Sequence, residues 1–233
     1  ILNFDNLIII LNKIDPDIVI NCIGITKRKI LNNVLEVLKI NTLFPHELAK
    51  WGFKNDKKII HFSTDCVFNG KKGNYNEESL TNAYDLYGQS KALGEIKYKN
   101  TLTIRSSFIG RELFDKTELL EWVISNNNNK IFGYKNTMYS GVSALYLASF
   151  VKKIISENRK FSGLYNLSLE NPISKYDLIC LIRDSFKLQL EIIPETEKIH
   201  NPTLDGSKLK NEMKLNIPSW KYMMDELAKN IIN

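Results

Sequence analysis

Residues 57–95 read KKIIHFSTDCVFNGKKGNYNEESLTNAYDLYGQSKALGE, and the fold turns on how this stretch is parsed. The apolar run Ile59, Ile60, Phe62 is short, β-branched and aromatic, and it breaks into Ser63-Thr64-Asp65. That is the pattern of a buried parallel strand ending at the carboxyl edge of a sheet, where ligands bind in open α/β folds. Gly70 and Gly73 then mark a loop. Tyr87 to Glu95 has helical spacing, so Tyr87 and Lys91, four residues apart, share a face. A phenol with a pKa of about 10 is a poor acid at neutral pH, but an ammonium one turn away favours its charged form and draws it toward the working range. Such a pair can give a proton to an alkoxide as it forms. Spacing alone is weak support: with ten tyrosines and 27 lysines about one Tyr-x-x-x-Lys arises by chance, and an ordinary helix-surface pair is the plain alternative. Order adds weight. A strand end with the hydroxyls Ser63 and Thr64, able to hydrogen-bond a carbonyl oxygen, followed by Tyr87 and Lys91, has the parts of a reduction site.

Five segments carry a resemblance: PDIVINCIG (16–24), FSTDCVF (62–68), DLYGQSKALGE (85–95), TIRSSF (103–108) and LDGSK (204–208). In this order, across nearly the whole chain, they resemble the extended short-chain dehydrogenase/reductases, on the dTDP-4-dehydrorhamnose reductase (RmlD-like) branch. The resemblance implies an α/β fold: a doubly wound, Rossmann-like parallel sheet with a smaller C-terminal substrate lobe. It implies NADPH or NADH as cofactor and reduction of the 4-keto group of a 6-deoxy sugar on a nucleotide diphosphate, for surface-polysaccharide assembly. Tyr87 then protonates the sugar oxygen, Lys91 lowers the Tyr87 pKa and holds the cofactor ribose, and Thr64 with Ser63 polarises the carbonyl. Cys22, Ile23 and Gly24 fall along the nicotinamide, and Asp65 and Phe108 at the sugar, with Phe108 standing where the family often has Trp. Asn41 matches a helix asparagine that faces the active-site side. The same parallel divides the chain into residues 1–110, a partial dinucleotide-binding domain onto which a helix at 143–158 packs back, and 111–233, mainly the substrate lobe. No Gly-rich turn follows a first strand, so a front βαβ segment of about 40 residues is expected outside this sequence, and with it the residues that separate NADH from NADPH.

Composition bounds these readings. The 233 residues, 43% hydrophobic and 25% charged, suffice for one good-sized core with a small appended lobe. No run approaches the roughly 18 apolar residues of a membrane span and no signal peptide is evident, which makes the cytoplasm the default and argues against a membrane partner. Three cysteines, odd in number and widely spaced, and three histidines argue against a disulfide framework or a metal site. The net charge of +6 comes from scattered lysines, and only Lys27-Arg28-Lys29 clusters, so nucleic acid is not indicated. A mild basic excess suits a nucleotide diphosphate sugar. A homodimer stays compatible with all of this.

The rest of the chain supplies the frame. Residues 4–15 predict a helix with Leu7, Ile10, Leu11 and Ile14 on one face, and Ile18–Ile20 a buried strand. A helix is expected from Lys29 to Lys50, broken or kinked at Pro45, which lacks the N–H for Asn41. Residues 102–104 and 164–167 read as strands, 116–125 and 143–158 as helices, and the asparagines 126–129 as a loop. Ser174 with Asp177 resembles a cap opening a helix to Phe186; a strand at 188–193 and a helical tail at 206–232 around Pro218 complete the chain. Two other functions fit the same residues. One is a non-catalytic nucleotide-binding regulatory subunit; the other is a nucleotide-sugar epimerase or dehydratase, for which Thr64-Asp65 lacks the usual Asp-Glu pair.

Overall fold

Four parallel strands, β1 (Ile18–Asn21), β2 (Lys58–Ser63), β3 (Thr101–Arg105) and β4 (Gly163–Asn166), hydrogen-bond in that order in the computed structural model, which describes residues 4–29, 33–157 and 162–230. The register pairs Asn21 with His61, Ser63 with Arg105 and Arg105 with Asn166, so β2, β3 and β4 end level at one carboxyl edge and β1 stops two residues short of it. β2 and β3 are buried along nearly their whole length, with Ile59, Ile60, Leu102 and Ile104 fully enclosed. That burial on both faces is why their sequences read as apolar runs without alternation. The architecture is α/β and Rossmann-like, as the residues led one to expect.

Two units divide the chain. The first comprises Ile1–Asn69, Asn76–Ser106 and Lys160–Asn166, and contains the sheet; the second comprises Gly70–Tyr75, Ser107–Arg159 and Leu167–Asn233. The sequence reading set a single boundary near 110 and docked helix 143–158 on the first part. In the structure that helix, Ala144–Ser156, clusters with the second unit, and the chain then returns to the sheet to lay β4 beside β3.

In the first unit, helix α1 (Phe4–Ile14) packs Phe4, Leu7, Ile8 and Leu11 against Phe44, Leu48, Trp51 and Ile59, and Phe4 stacks on Phe44 at 5.8 Å. Ile10 and Ile14, expected inward, are 51% and 66% exposed. The apolar face of FDNLIIILNKI runs from Ile10 and Ile14 at one margin to Ile8 at the other, wider than the stripe that packs, so a 3.6-residue period does not choose which part of it turns inward.

The long helix expected at 29–50 is built in pieces. Residues 30–32, including Leu31, lie outside the described residues; Lys27–Lys29 is a 3-10 turn, α2 covers Val34–Val37, a π-helical turn Leu38–Leu43, and α3 Phe44–Lys54. Pro45 has no N–H to give to the Asn41 carbonyl. The chain accommodates this by widening through the π-turn and restarting as α3 with Pro45 in its first turn, where a missing N–H costs nothing. Helix α4 (Leu86–Leu93) lies beside that turn: Thr42 Oγ1 donates to the Ser90 carbonyl at 2.9 Å, and His46 Nε2 meets the Leu93 carbonyl at 2.8 Å.

The second unit carries a parallel strand pair, Lys130–Tyr134 with Glu191–Glu195, on which helix Lys175–Ser185 packs. Ser174 caps that helix as expected, its hydroxyl accepting from the Asp177 N–H at 3.0 Å. The strand at 130–134 has one buried large apolar side chain, Ile131, and nothing in its periodicity announces it. Gly70–Tyr75 is stitched to the later chain: the Asn201 N–H donates to the Gly70 carbonyl at 2.6 Å and the Tyr75 N–H to the Thr203 carbonyl at 2.9 Å. Helices Ser207–Met213 and Trp220–Lys229 flank Pro218 in the tail. Among the described residues no helix is long and apolar enough to cross a membrane.

A Cβ on Gly94, just past α4, would stand 2.0 Å from the Asn41 backbone carbonyl. Gly94→Ala should therefore force the helix off the π-turn and cost roughly 1–3 kcal/mol, read as a drop in the denaturant midpoint with an unchanged slope.

Candidate active site

Thr64 sits immediately beyond β2 and caps the 3-10 turn Asp65–Val67: its Oγ1 accepts from the Cys66 N–H at 3.1 Å and donates to Asp65 Oδ1 at 3.1 Å. Both Thr64 and Asp65 are buried, at 7% and 4% exposure. Helix α4 is laid directly against this turn. A Cβ on Gly88 would fall 2.2 Å from the Cys66 carbonyl, so only glycine lets this turn of α4 come so near the Thr64 turn. Asp85 opens the helix by accepting from the Gly88 N–H at 2.9 Å, and its other oxygen takes Lys27 Nζ at 2.6 Å.

One turn after the half-buried Tyr87, Lys91 is only 6% exposed, and its Nζ donates to the Phe62 carbonyl of β2 at 2.7 Å. An ammonium has three donors, and this single protein bond leaves donors for an incoming hydroxyl pair such as a ribose diol. Gly24, at the end of β1, adjoins the same spot: a Cβ there would be 3.9 Å from Lys91 Nζ and 3.5 Å from Asn41 Oδ1, in ordinary contact. Burial holds the Lys91 ammonium down to about 8, against a smaller upward pull from Glu95. Thr64, Lys91 and Gly24 thus lie around one strand edge, with the first turn of α4, which carries Tyr87, laid against the Thr64 turn.

Ser63 is directed elsewhere. Its hydroxyl donates to Glu95 Oε1 at 2.8 Å, into a buried ion pair in which Arg105 Nε and Nη2 reach Oε1 and Oε2 at 2.6 and 2.7 Å. Neighbouring side chains along a strand point to opposite faces, so the adjacent hydroxyls of Ser63 and Thr64 take different partners. Of the remaining expected residues, Cys22 is exposed, Ile23 is 39% exposed with its N–H on Asn21 Oδ1 at 3.0 Å, and Phe108, in the second unit, is 58% exposed.

Asn41, 1% exposed, is the link between the loop after β1 and α4. Its Oδ1 accepts from the Ile25 N–H at 2.8 Å, while Nδ2 donates to the Ile25 carbonyl at 3.0 Å and Ser90 Oγ at 3.1 Å. The pair Glu95–Arg105 and the Lys27–Asp85 contact were not singled out from the sequence. A signal for the first existed: Arg105 closes an apolar strand, and a guanidinium there needs a buried carboxylate.

Below the edge, the Asn21 amide stands 3.0 Å from His61 Nδ1, and His61 Nε2 is buried with no partner. Burial first, then the charges of Lys91 and His46, hold His61 well below its usual 6.5. Burial, with Asp65 beside it, pushes the Cys66 thiol up to about 12, which leaves that thiol inert. Among the described residues no group of three or more His, Cys, Asp or Glu is placed to hold a metal ion.

The parallel sheet, with helices beside it and a buried lysine at its carboxyl edge, has the Rossmann-like architecture of the short-chain dehydrogenase/reductase fold. The sequence matches, over residues 1–232, the family described as RmlD substrate binding domain, and the chain belongs to that family. It is 29% identical over 210 residues to the dTDP-4-dehydrorhamnose reductase of Aggregatibacter actinomycetemcomitans, covering 83% of this chain and 70% of that protein. It is 24% identical over 222 residues to the methionine adenosyltransferase 2 subunit beta of Xenopus tropicalis, covering 83% of this chain and 64% of that protein. The chain thus spans about two thirds of the length of these relatives. Among solved structures it is similar to the dTDP-4-dehydrorhamnose reductase of Bacillus anthracis in complex with NADP, with a TM-score of 0.88 at 19% identity, covering 99% of this chain and 86% of that one.

His61 yields a pH dependence of stability. Its folded-state pKa lies below the unfolded value of about 6.5, so its contribution is fully present above that value and is lost as pH falls through it. Denaturant melts should show stability falling as pH drops below about 6.5 on this account, and His61→Gln should flatten that slope.

Proposed function

We propose that this protein is an NAD(P)H-dependent reductase of nucleotide-diphosphate 4-keto-6-deoxy sugars, acting in the cytoplasm for surface-polysaccharide assembly. The observation that carries the proposal is the seating of Tyr87 and Lys91 on one face of α4, pressed by the Gly88 contact against the Thr64 turn at the sheet's carboxyl edge. The reductase relatives in the same family support the substrate class, and three free cysteines suit a reducing compartment.

A reduced nicotinamide supplies the hydride to C4 of the sugar when it is bound. The protein's residues do the rest. Thr64 gives its hydroxyl hydrogen to the ketone oxygen, giving up the bond to Asp65 by rotation about its C–O bond. Tyr87 transfers its phenolic proton to the same oxygen as negative charge develops, and solvent later restores that proton. The Lys91 ammonium favours the tyrosinate left behind and offers its remaining donors to the cofactor ribose. Asp65 and Phe108 are the residues assigned to the sugar, and Cys22, Ile23 and Gly24 those that would hold the nicotinamide. Ser63, with its hydrogen committed to Glu95, serves the site from beneath.

One observation favours a second reading. Several relatives are methionine adenosyltransferase 2 beta subunits, at 22–25% identity, so a non-catalytic subunit of another enzyme is the competing proposal. Both are decided by NADPH oxidation in the full-length protein on adding dTDP- or UDP-linked 4-keto-6-deoxy sugars. Stoichiometric consumption is expected, which an epimerase or dehydratase would not give, because these return the cofactor. Tyr87→Phe should lower turnover about 10²- to 10⁴-fold with cofactor affinity little changed. Tight NADPH binding with no consumption from any of these sugars would favour the subunit reading.

A further inference from the structure

Tyr87, Lys91 and Glu95 recur at four-residue steps, a spacing at which a lysine and a glutamate ordinarily pair. They do not pair here. Lys91 Nζ takes the Phe62 carbonyl, and the Glu95 carboxylate is filled by three donors: Ser63 Oγ at 2.8 Å, Arg105 Nε at 2.6 Å and Arg105 Nη2 at 2.7 Å. Helix α4 ends at Leu93, and Gly94 against the Asn41 carbonyl fixes where Glu95 departs from it. Arg105 and Glu95 side chains are 3% and 6% exposed, and the guanidinium lies 5.1 Å from the centre of the Phe68 ring.

A buried ion pair is weak evidence of stabilisation, since apolar residues of like volume often do as well. This one also leaves Arg105 Nη1 buried without a partner. Its reason is better sought in what it prevents. We infer that Arg105 and Ser63 hold the Glu95 carboxylate away from the Lys91 ammonium, so that this charge stays available to Tyr87 and to a bound ribose.

With Arg105 absent, the buried carboxylate keeps only the Ser63 hydroxyl as a donor, one turn from an ammonium, and the Coulomb attraction between them grows steeply as water is excluded. It would turn to Lys91, weaken the field that the ammonium exerts on its surroundings, and occupy the ammonium's donors. The other groups around Lys91 do not offset this. His61 on β2 is neutral when buried, His46 on α3 is engaged with the Leu93 carbonyl, and Asn41 and the Phe62 carbonyl carry no charge. Arg105, Glu95 and Ser63 are positioning residues, acting through Lys91. What the freed ammonium then does rests on the reductase reading; that it is freed does not.

The test is a titration of Lys91 itself, followed by NMR in protein labelled at the lysine ε-carbons, with the resonance assigned by Lys91→Arg, in the absence of cofactor and sugar. The parent midpoint should lie near 8. Arg105→Gln should raise it by about one unit or more, and Arg105→Lys, which keeps a cation but cannot grip both carboxylate oxygens, by about half a unit. Adding Glu95→Gln to either variant should return the midpoint to the parent value or below, an outcome that loss of packing would not produce. Arg105→Lys and the double variant Arg105→Gln/Glu95→Gln keep the test open if Arg105→Gln alone does not fold. No shift in either Arg105 variant, or a raised midpoint that persists in the double variants, overturns the inference. Since no turnover is measured, that failure is distinct from failure of the parent to oxidise NADPH.

Discussion

Backbone rests on backbone at both ends of helix α4, at Gly88 against the Cys66 carbonyl and at Gly94 against the Asn41 carbonyl. These contacts leave no room for even a methyl group, and a protein interior at crystal-like density does not open one without moving whole elements. The helix therefore has one seat. It cannot roll, because Gly88 and Gly94 would turn their neighbours' side chains into those carbonyls, and it cannot slide along the edge of β2. The face bearing Tyr87 and Lys91 is fixed by these two glycines before any side-chain bond is counted. The side-chain bonds, from Thr42, His46 and Asn41 to the helix and from Lys91 to the Phe62 carbonyl, then satisfy polar groups that this close approach takes out of water.

The electrostatics follow from the same seat. Pressing α4 onto the strand edge buries an ammonium, an imidazole and a carboxylate within a short span, and each is accommodated differently. His61 stays neutral beside the Asn21 amide. Lys91 is held by one carbonyl, and burial makes its proton less tightly held. Glu95 is matched by a planar fork and a hydroxyl, the kind of bidentate geometry that arginine provides and lysine does not. A shallower site would need none of these arrangements and would lose the low dielectric in which one buried charge acts strongly on its neighbours.

Much of this was legible in the sequence, because the decisive signals are local. β2 breaking into hydroxyls, Tyr87 and Lys91 one turn apart, and Ser174 capping its helix all depend on residues within a few positions of one another. What was not legible depends on partners far along the chain. Pro45 signals trouble in a helix, but a π-turn in place of a break is a response to α4 arriving some fifty residues later. The two hydroxyls Ser63 and Thr64 look equivalent in a string; strand alternation separates them, and only Glu95 reveals which way Ser63 turns. Helix α1 misled for a different reason: its apolar face is wider than the stripe that packs, which leaves the inward part to be chosen by what packs there, and Phe44 and Trp51 chose Phe4, Leu7, Ile8 and Leu11. The strand at Lys130–Tyr134 escaped notice because its pairing with Glu191–Glu195 is set by the partner strand sixty residues on.

The chain passes from one unit to the other after Asn69, Tyr75, Ser106, Arg159 and Asn166. Neither unit is a continuous stretch of sequence, so no single cut frees either of them, and no gene fragment encodes one alone. The parallel sheet is closed by β4, a strand delivered only after more than fifty residues of the other unit have been made. On a ribosome, the strand edge that carries Thr64 and Arg105 therefore stays without β4 until the intervening residues of the second unit have emerged. Contacts this distant in sequence are the slow ones to form, and they make assembly of the site a late event in synthesis.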